Sequence, residues 1–504
     1  MKYIIISVML ILSISACKKD LLDTSPLDQP SPDNWYNNEK EAFISLTGIY
    51  SNLTEMPIYF DAMSDDLYNQ YPWEGSTEVA DGSYGSTSGY ISWKWSADYQ
   101  GIWRANSFIA NMEEKAKFDQ QVIDQMIAEA KFLRAFWYAD LADFYEDVPL
   151  ILAPQTLAES QTPKSPKADI LTAVYKDLDD AIASLPDSYS AGDIGRATKG
   201  AAIALKARVK LFNGAWTEAA SLANQIISAG TYELYPDYAG LFTVAAEYNS
   251  EVIFDQAQMK DKRPSGYSTV IRDWRSFVPL IGLSDDYYMS DGKPITDPAS
   301  GYDPTNPFVN RDPRLYVTLQ VPGETYNGEV YIPANDFSPS GMAVVKWVEV
   351  DNTEYWNSEL NIILIRYAEV LLTYAEAQNE AAGPDESVYS ALHLIRNRAG
   401  MPDVTPGLTQ DQMRQEIRHE RRIEMVGEGL RYSDIRRWKI AENVMVNGMG
   451  YNSASLSDPE TLANWVFEEV VVNERSFIAP KHYVWPLPQS EIQVNENLVQ
   501  NPLW

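Results

Sequence analysis

Ile417-Arg-His-Glu-Arg-Arg-Ile-Glu-Met-Val-Gly-Glu-Gly-Leu-Arg-Tyr-Ser-Asp-Ile-Arg-Arg-Trp438 is the stretch that orients the whole chain. Glu416, Glu420, Glu424 and Glu428 recur every four residues and share one side of a helix. Arg414, Arg418 and Arg422 form a second row, displaced by two residues onto nearly the opposite side. Rows so placed cannot neutralise each other by i,i+4 pairing, apart from links such as Arg421 to Glu424 at i,i+3. A solvated charged helix is one reading. The stronger reading is that the acidic row meets arginines from another helix, with Arg431, Arg436 and Arg437 the nearest candidates.

Outward from this segment the chain is largely helical. Thr409 and Gln412 have capping-box spacing, which predicts a helix over 409–426 with a partner over 431–442. A preceding pair spans 362–380 and 386–398. Ala130, Leu133, Trp137, Leu141 and Phe144 give the segment 127–144 one apolar face, and Val148-Pro149-Leu150 ends it. Segments 197–212 and 216–228, joined by Asn213-Gly214, form another pair. Ala201, Ala204 and Ala207 on one, and Ala219, Ala220 and Ala223 on the other, let these helices approach closely. Such hairpins are of tetratricopeptide type, although the strict repeat consensus is not met. An N-terminal helix is expected over 39–53, and Trp103 and Asn106 are expected at another helix start.

Two stretches differ. Residues 55–98, rich in Gly, Ser, Tyr and Trp, read as surface loops. Residues 232–356 abound in Pro and Gly, with short β-like runs at 251–256, 315–321 and 343–348. A loop-rich region of this length inside a helical chain is functional or a separate subdomain. The expected fold is mainly α: tetratricopeptide-like helix pairs over 39–231 and 357–504, carrying a loop-rich ligand-binding insertion over 232–356.

Composition narrows the function. The 504 residues carry 71 acidic and 40 basic side chains, a net charge of −31. Such a surface repels phosphate backbones, so nucleic-acid binding is not expected. Apolar residues at 45% suffice for a substantial core, and the mean hydropathy of −0.31 argues against further membrane spans. At the start, Lys2 precedes an apolar run and then Ser13-Ile14-Ser15-Ala16-Cys17, the pattern of a secretory signal over 1–16. Cys17 is the one cysteine of the chain, which leaves no disulfide, Cys-ligated zinc or cysteine nucleophile. Its setting resembles the lipobox of bacterial lipoproteins. An acylated Cys17 followed by a proline-containing tether over 17–38 would hold a soluble body on a lipid bilayer. An ordinary cleaved signal ending near a cysteine is the alternative.

The segment 417–438 resembles the C-terminal helical signature of the SusD/RagB family of outer-membrane nutrient-binding lipoproteins. The last residues agree: Tyr483-Val-Trp-Pro-Leu-Pro-Gln-Ser-Glu491, then Asn495, Asn497, Gln500 and Asn501-Pro502. Glu129-Ala-Lys-Phe-Leu-Arg-Ala-Phe-Trp-Tyr138 with Asp147-Val-Pro-Leu150, and Ile365-Arg-Tyr-Ala-Glu-Val-Leu-Leu372 with Ala375-Glu-Ala377, match as well. Ser64-Asp65-Asp66 looks like the family's early acidic motif. The resemblance runs over 17–504. It implies ligand-binding loops on one face of a helical scaffold, in a surface-exposed, lipid-anchored lid. That lid would sit on a TonB-dependent, SusC-like outer-membrane barrel and capture oligosaccharide or polysaccharide or, as in RagB-like members, peptide. It also implies no catalytic centre, and no cofactor is expected.

A sugar offers apolar C–H faces and a rim of hydroxyls, so its site needs flat aromatic platforms beside carboxylates, amides or Arg. Asp65, Asp66, Asn69, Trp73, Tyr84, Tyr90, Trp93 and Trp95 supply one such mixture. There, an extended Trp93-Lys94-Trp95 would turn both indoles to one side. Trp274, Tyr287, Tyr288, Trp347, Tyr355 and Trp356 supply a second. Core or loop packing is the alternative role for each. A glycan-cleaving enzyme is the weaker reading. It needs two carboxylates facing each other across a cleft, and Asp65-Asp66, if extended, point to opposite sides. His393, His419 and His482 form no zinc-protease motif, and no nucleophile elbow or phosphate loop is present. Asp291, Asp297, Asp303 and Asp312 fit no calcium-loop spacing, so no metal is expected. A peptide would use the same aromatic loops through backbone hydrogen bonds, and a purely protein-binding scaffold is the third reading.

Overall fold

The computed structural model describes residues 35–457 and 464–504. Cys17, the signal segment 1–16 and residues 17–34 of the tether lie outside the described residues. The scaffold begins with α1 (Glu39–Tyr50), capped by Asn38, then α2 (Gly89–Lys115) and α3 (Gln120–Phe144), capped by Asp119. It continues through α4 (Lys167–Ser184), α5 (Lys199–Phe212) and α6 (Trp216–Ala229). After the loop-rich region come α7 (Tyr367–Ala382), α8 (Glu386–Arg398), α9 (Gln410–Glu424) and α10 (Arg431–Arg437). Thr409 and Gln412 make the complete capping box that starts α9. From α2 to α6 each helix packs on its successor, α6 packs on α7 across the loop-rich region, and α7 packs on both α8 and α9. Gly101 permits a close approach of α2 to α3: a Cβ there would lie 2.5 Å from the Trp137 ring.

Several elements differ from the sequence expectation. Residues 55–98 are not simply loops, because α2 begins at Gly89 and a short helix spans Ser76–Asp81. Polar Lys94, Asp98 and Asn106 lie on the buried face of α2, which erases its apolar period. Trp103 and Asn106 therefore sit inside a helix, not at its start. The helix α4 was not anticipated, although Ile170, Val174, Leu178 and Ala181 form its buried row. Residues 362–366 form a strand before α7, as their β-branched run favours. In 315–321 the turn Arg314–Thr318 is helical and only Leu319–Gln320 is strand. The helix α10 ends at Arg437.

Four strands position the rest. β1 (Leu67–Asn69) pairs antiparallel with β3 (Phe277–Pro279), and β2 (Val252–Gln256) pairs antiparallel with β4 (Ile362–Arg366). The scaffold core gathers Leu133, Trp137, Leu141 and Trp485. A second core joins Phe242, Tyr267, Tyr287 and Trp347 to Ile58, Leu67, Ile423 and Trp465. It thus recruits residues from well outside 232–356. No helix among the described residues is long and apolar enough to cross a membrane.

The acidic row of α9 is buried between these cores and meets cations. Glu424 accepts from Arg366 (2.6 Å), Arg314 (3.0 Å) and Arg398. Glu420 accepts from Arg314 (2.5 Å), and Glu428 from Arg366 (2.7 Å) and Lys346 (2.6 Å). Glu416, nearer the surface, meets Arg396 at 3.3 Å. The partners come from β4, α8 and the loop-rich region rather than from α10. Arg431 binds Asp65, Arg436 binds Asp143, and Arg437 binds Glu376 and Asp434. Arg421 pairs with Asp434 at 2.7 Å, not with Glu424, because it faces α10.

Candidate ligand-binding site

The site grows from the β1–β3 pair, which sets Asn69 opposite Phe277. Buried Asn69 donates to Glu74 (2.7 Å) and accepts from the Tyr71 amide (2.8 Å). Glu74 also accepts from Tyr59 (2.9 Å) and Ser276 (2.8 Å). These bonds hold the turn 70–75, closed by Gly75 at φ +86°, where a Cβ would press within 3.2 Å of Tyr90. Trp73 consequently stands outside, 77% exposed, with the Tyr71 ring stacked on it at 4.7 Å.

A second turn is tied to the first. Tyr71 donates its hydroxyl to the Trp274 carbonyl (2.9 Å), and Gln70 donates to the Arg275 carbonyl (2.6 Å). Trp274, 50% exposed, follows a π-helical turn over Thr269–Asp273, and Arg275 takes φ +52°. Both are uncommon conformations that concentrate at functional positions. Arg272 donates to the carbonyls of Glu349 (3.3 Å) and Asn352 (3.1 Å) and lies 5.6 Å from the Tyr355 ring centroid. Tyr355 meets Trp356 edge to face at 4.9 Å, and Trp356 is 57% exposed. Tyr71 thereby ties Trp73 to the turn that carries Trp274, and Tyr355 ties Trp356 to Arg272 of that same turn, so three exposed indoles border one turn and make up its aromatic face.

Beside this face opens a groove of about 410 Å³, its polar wall built from Arg272, Arg275, Gln320, Asn335 and Asp336. Arg275 bridges Gln320 and Asp336, at 3.1 Å from each. Phe337, next in the chain, is largely exposed. Flat apolar rings next to amides, guanidinium and carboxylate are the complement of a ligand with apolar faces and a hydroxyl rim.

Of the sequence-derived candidates, Trp73, Trp274 and Trp356 share this face. Exposed Trp93 flanks it, its ring 5.3 Å from Tyr90 beside Gly75. The others lie elsewhere. Asp65 takes both nitrogens of a fork from Arg431 (2.8 Å each), and Asp66 accepts from Arg422 (2.7 Å). Burial raises the Asp65 carboxyl, but Arg422 and Arg431 outweigh it and hold it well below the ordinary carboxylate range. Asp66, Asn69, Tyr84 and Trp95 are buried and offer no surface to a ligand. Asn69 acts through the turn it holds. Tyr84 donates to the His482 carbonyl (3.2 Å), and Trp95 packs on Tyr99 and Tyr145. The helical form of 93–95 separates the two indoles and sends Lys94 inward. Tyr288 stacks on His419 of α9 at 3.7 Å, while Tyr90, Tyr287 and Trp347 are buried. Tyr71, Arg272, Arg275 and Phe337 were not anticipated.

Among the described residues, Glu55, Asp98 and Asp140 form the carboxylate group close enough to share a metal ion. Lys94 Nζ occupies its centre at 3.1, 2.9 and 2.6 Å from them.

Residues 244–504, just over half of the chain, match the family model described as the SusD family. The chain belongs to the SusD family. A second model, described as starch-binding and associating with the outer membrane, matches residues 33–211. The SusD-like protein P25 of Formosa agariphila is 26% identical, over 99% of this chain and 98% of that protein. A SusD-like carbohydrate-binding protein of Bacteroides fragilis is 28% identical with a TM-score of 0.83, covering 92% of this chain and 99% of its own. The surface glycan-binding protein A of Bacteroides fluxus shares the fold at 22% identity and a TM-score of 0.72, over 93% of this chain and 100% of its own. The mainly α architecture is thus that of the SusD family.

Proposed function

We propose that this protein binds oligosaccharide or polysaccharide at the cell surface without cleaving it. It then passes the ligand to a TonB-dependent, SusC-like barrel in the outer membrane, to which an acylated Cys17 keeps it close. The observation that carries the binding role is the face of Trp73, Trp274 and Trp356 beside the polar groove of Arg272, Arg275, Gln320 and Asp336. The names of the Bacteroides fragilis and Bacteroides fluxus relatives, carbohydrate-binding and glycan-binding, support the ligand class. The delivery role rests on the family resemblance.

The test is a glycan and peptide array on the lipid-free protein, followed by titration of the best ligand. Replacing Trp73, Trp274 and Trp356 together by Ala removes three stacking contacts of about 0.5–1.5 kcal/mol each. The expected loss is roughly 10- to 1,000-fold in Kd, with an unchanged melting temperature because the rings are exposed. Retained glycan affinity, or capture of peptides alone, would reject the site or the ligand class. New reducing ends on incubation would reject the non-catalytic role. Membranes solubilised from cells expressing the full chain should yield it with a large β-barrel, and its isolation without one would reject delivery.

A further inference from the structure

A second pocket, of about 250 Å³, lies between the loop 187–198, the segment 231–232 and the strand β2. It shares no residue with the aromatic face. Its lining includes Tyr189, Tyr232, Tyr248, Thr198, Asn249 and Asp255. Two backbone conformations shape its mouth. Tyr248 is held at φ +55° with its side chain 43% exposed, an uncommon state for a bulky residue and one that recurs at ligand clamps. Gly195 takes φ +96°, and a Cβ there would stand 3.4 Å from the Tyr248 ring and 3.9 Å from Asp255 Oδ1, in the space between them.

Asp255 is only 3% exposed, yet it forms no ion pair among the described residues. Several other buried carboxylates meet a cation: Glu251 and Glu424 meet Arg366, Glu369 meets Arg208, and Asp434 meets Arg421. The Oδ2 of Asp255 accepts from Asn361 Nδ2 at 3.0 Å, while Oδ1, toward Gly195, meets no side-chain donor. Arg196, also on the lining, is held by Glu129 (2.6 Å) and stacked on Tyr189. Burial pushes the Asp255 carboxyl up to about 7. A carboxylate that meets no cation, at the wall of a pocket faced by an exposed tyrosine, can accept from a polar ligand seated there.

We propose that this pocket binds a single neutral sugar ring, stacked on Tyr248 and donating its hydroxyls to Asp255. The inference rests on the carbohydrate-binding reading of the protein but not on the aromatic face. Above about pH 7, where Asp255 is ionised, its charge excludes uronic acids, whose carboxylate would confront it.

The experiment titrates the lipid-free protein with neutral hexoses, pentoses and N-acetylhexosamines and with hexuronates, read by saturation-transfer NMR. Four proteins are compared: wild type, Asp255→Asn, Tyr248→Ala and the triple variant Trp73→Ala/Trp274→Ala/Trp356→Ala. At least one neutral monosaccharide should saturate the wild type and the triple variant alike. It should bind at least tenfold more weakly to the Asp255 and Tyr248 variants, whose melting temperatures should not fall, and hexuronates should not bind above about pH 7. If no neutral sugar saturates, if Asp255→Asn binds as wild type does, or if the triple variant loses the monosaccharide, the proposal is overturned. Failure of the main reading registers separately, as polysaccharide affinity that the triple variant retains.

Discussion

Glu424→Gln should lower the unfolding free energy by about 3–5 kcal/mol, the usual cost of breaking a buried ion pair from one side. Three guanidiniums, those of Arg314, Arg366 and Arg398, converge on this carboxylate, and its side chain is wholly buried. The glutamine keeps the volume and some hydrogen bonds but removes the charge that offsets three cations. Glu416→Gln is the internal control, since that carboxylate is partly exposed and its pair is worth under about 1 kcal/mol. Urea titrations at neutral pH compare the two variants. A loss below about 1 kcal/mol for Glu424→Gln would mean that the network does not hold the two cores together. The pH dependence has a definite sign. Burial raises the Glu424 carboxyl, but Arg398, Arg366 and Arg314 outweigh it, so its folded pKa lies below the ordinary 4.5. As pH falls, the unfolded chain takes up that proton first. The contribution is therefore complete above about pH 4.5 and is lost below it. The gap between wild type and Glu424→Gln should narrow as pH falls below 4.5, and a constant gap would contradict the depressed pKa.

Lys94→Met should cost a similar amount, about 3–5 kcal/mol. Methionine fills the tunnel left by the lysine stem, yet Glu55, Asp98 and Asp140 then face each other without a cation. Burial already raises the Glu55 and Asp98 carboxyls while Lys94 is present. Without it they should bind protons more readily, so the variant's deficit should shrink toward acidic pH. Their oxygens lie within 4.8 Å of one another, and oxygen donors so placed suit calcium. Added calcium should raise the melting temperature of Lys94→Met and leave wild type unchanged. A variant as stable as wild type, with no response to calcium, would show that the triad is not confined.

The legible parts of the sequence were those with a local signature. The apolar rows of α3, α5 and α6 and the capping box of α9 follow from spacings within a few residues. The burial of the acidic row was also readable, because charge rows on opposite sides of one helix must each find partners elsewhere. The partners were not readable. Arg314 and Arg366 lie 110 and 58 residues from Glu424, and proximity in sequence pointed wrongly to α10. The same distance defeated the reading of Asp65 and Asp66, whose arginines come from more than 350 residues away. Trp73, Trp274 and Trp356 stood out as large rings in Gly- and Pro-rich surroundings. Tyr71, Arg272 and Arg275 did not, because their places depend on β1 pairing with β3 across some 200 residues. The helix α2 stayed hidden because Lys94 and Asp98 sit where its apolar stripe should be.

The β2–β4 pair has a consequence for how such proteins diversify. Gln256 and Ile362 are direct partners, so residues 257–361 leave the helical frame and return to it side by side. Lengthening a loop within a segment whose two ends meet at one doorway costs little closure entropy, which grows only logarithmically with length. New ligand chemistry can therefore be grafted there while the frame is inherited unchanged. Two arginines mark what such a graft must keep: Arg366 on the threshold and Arg314 within the segment, both clasping Glu424. A replacement cassette that supplies no equivalent of Arg314 would leave its carboxylate partners searching for a charge.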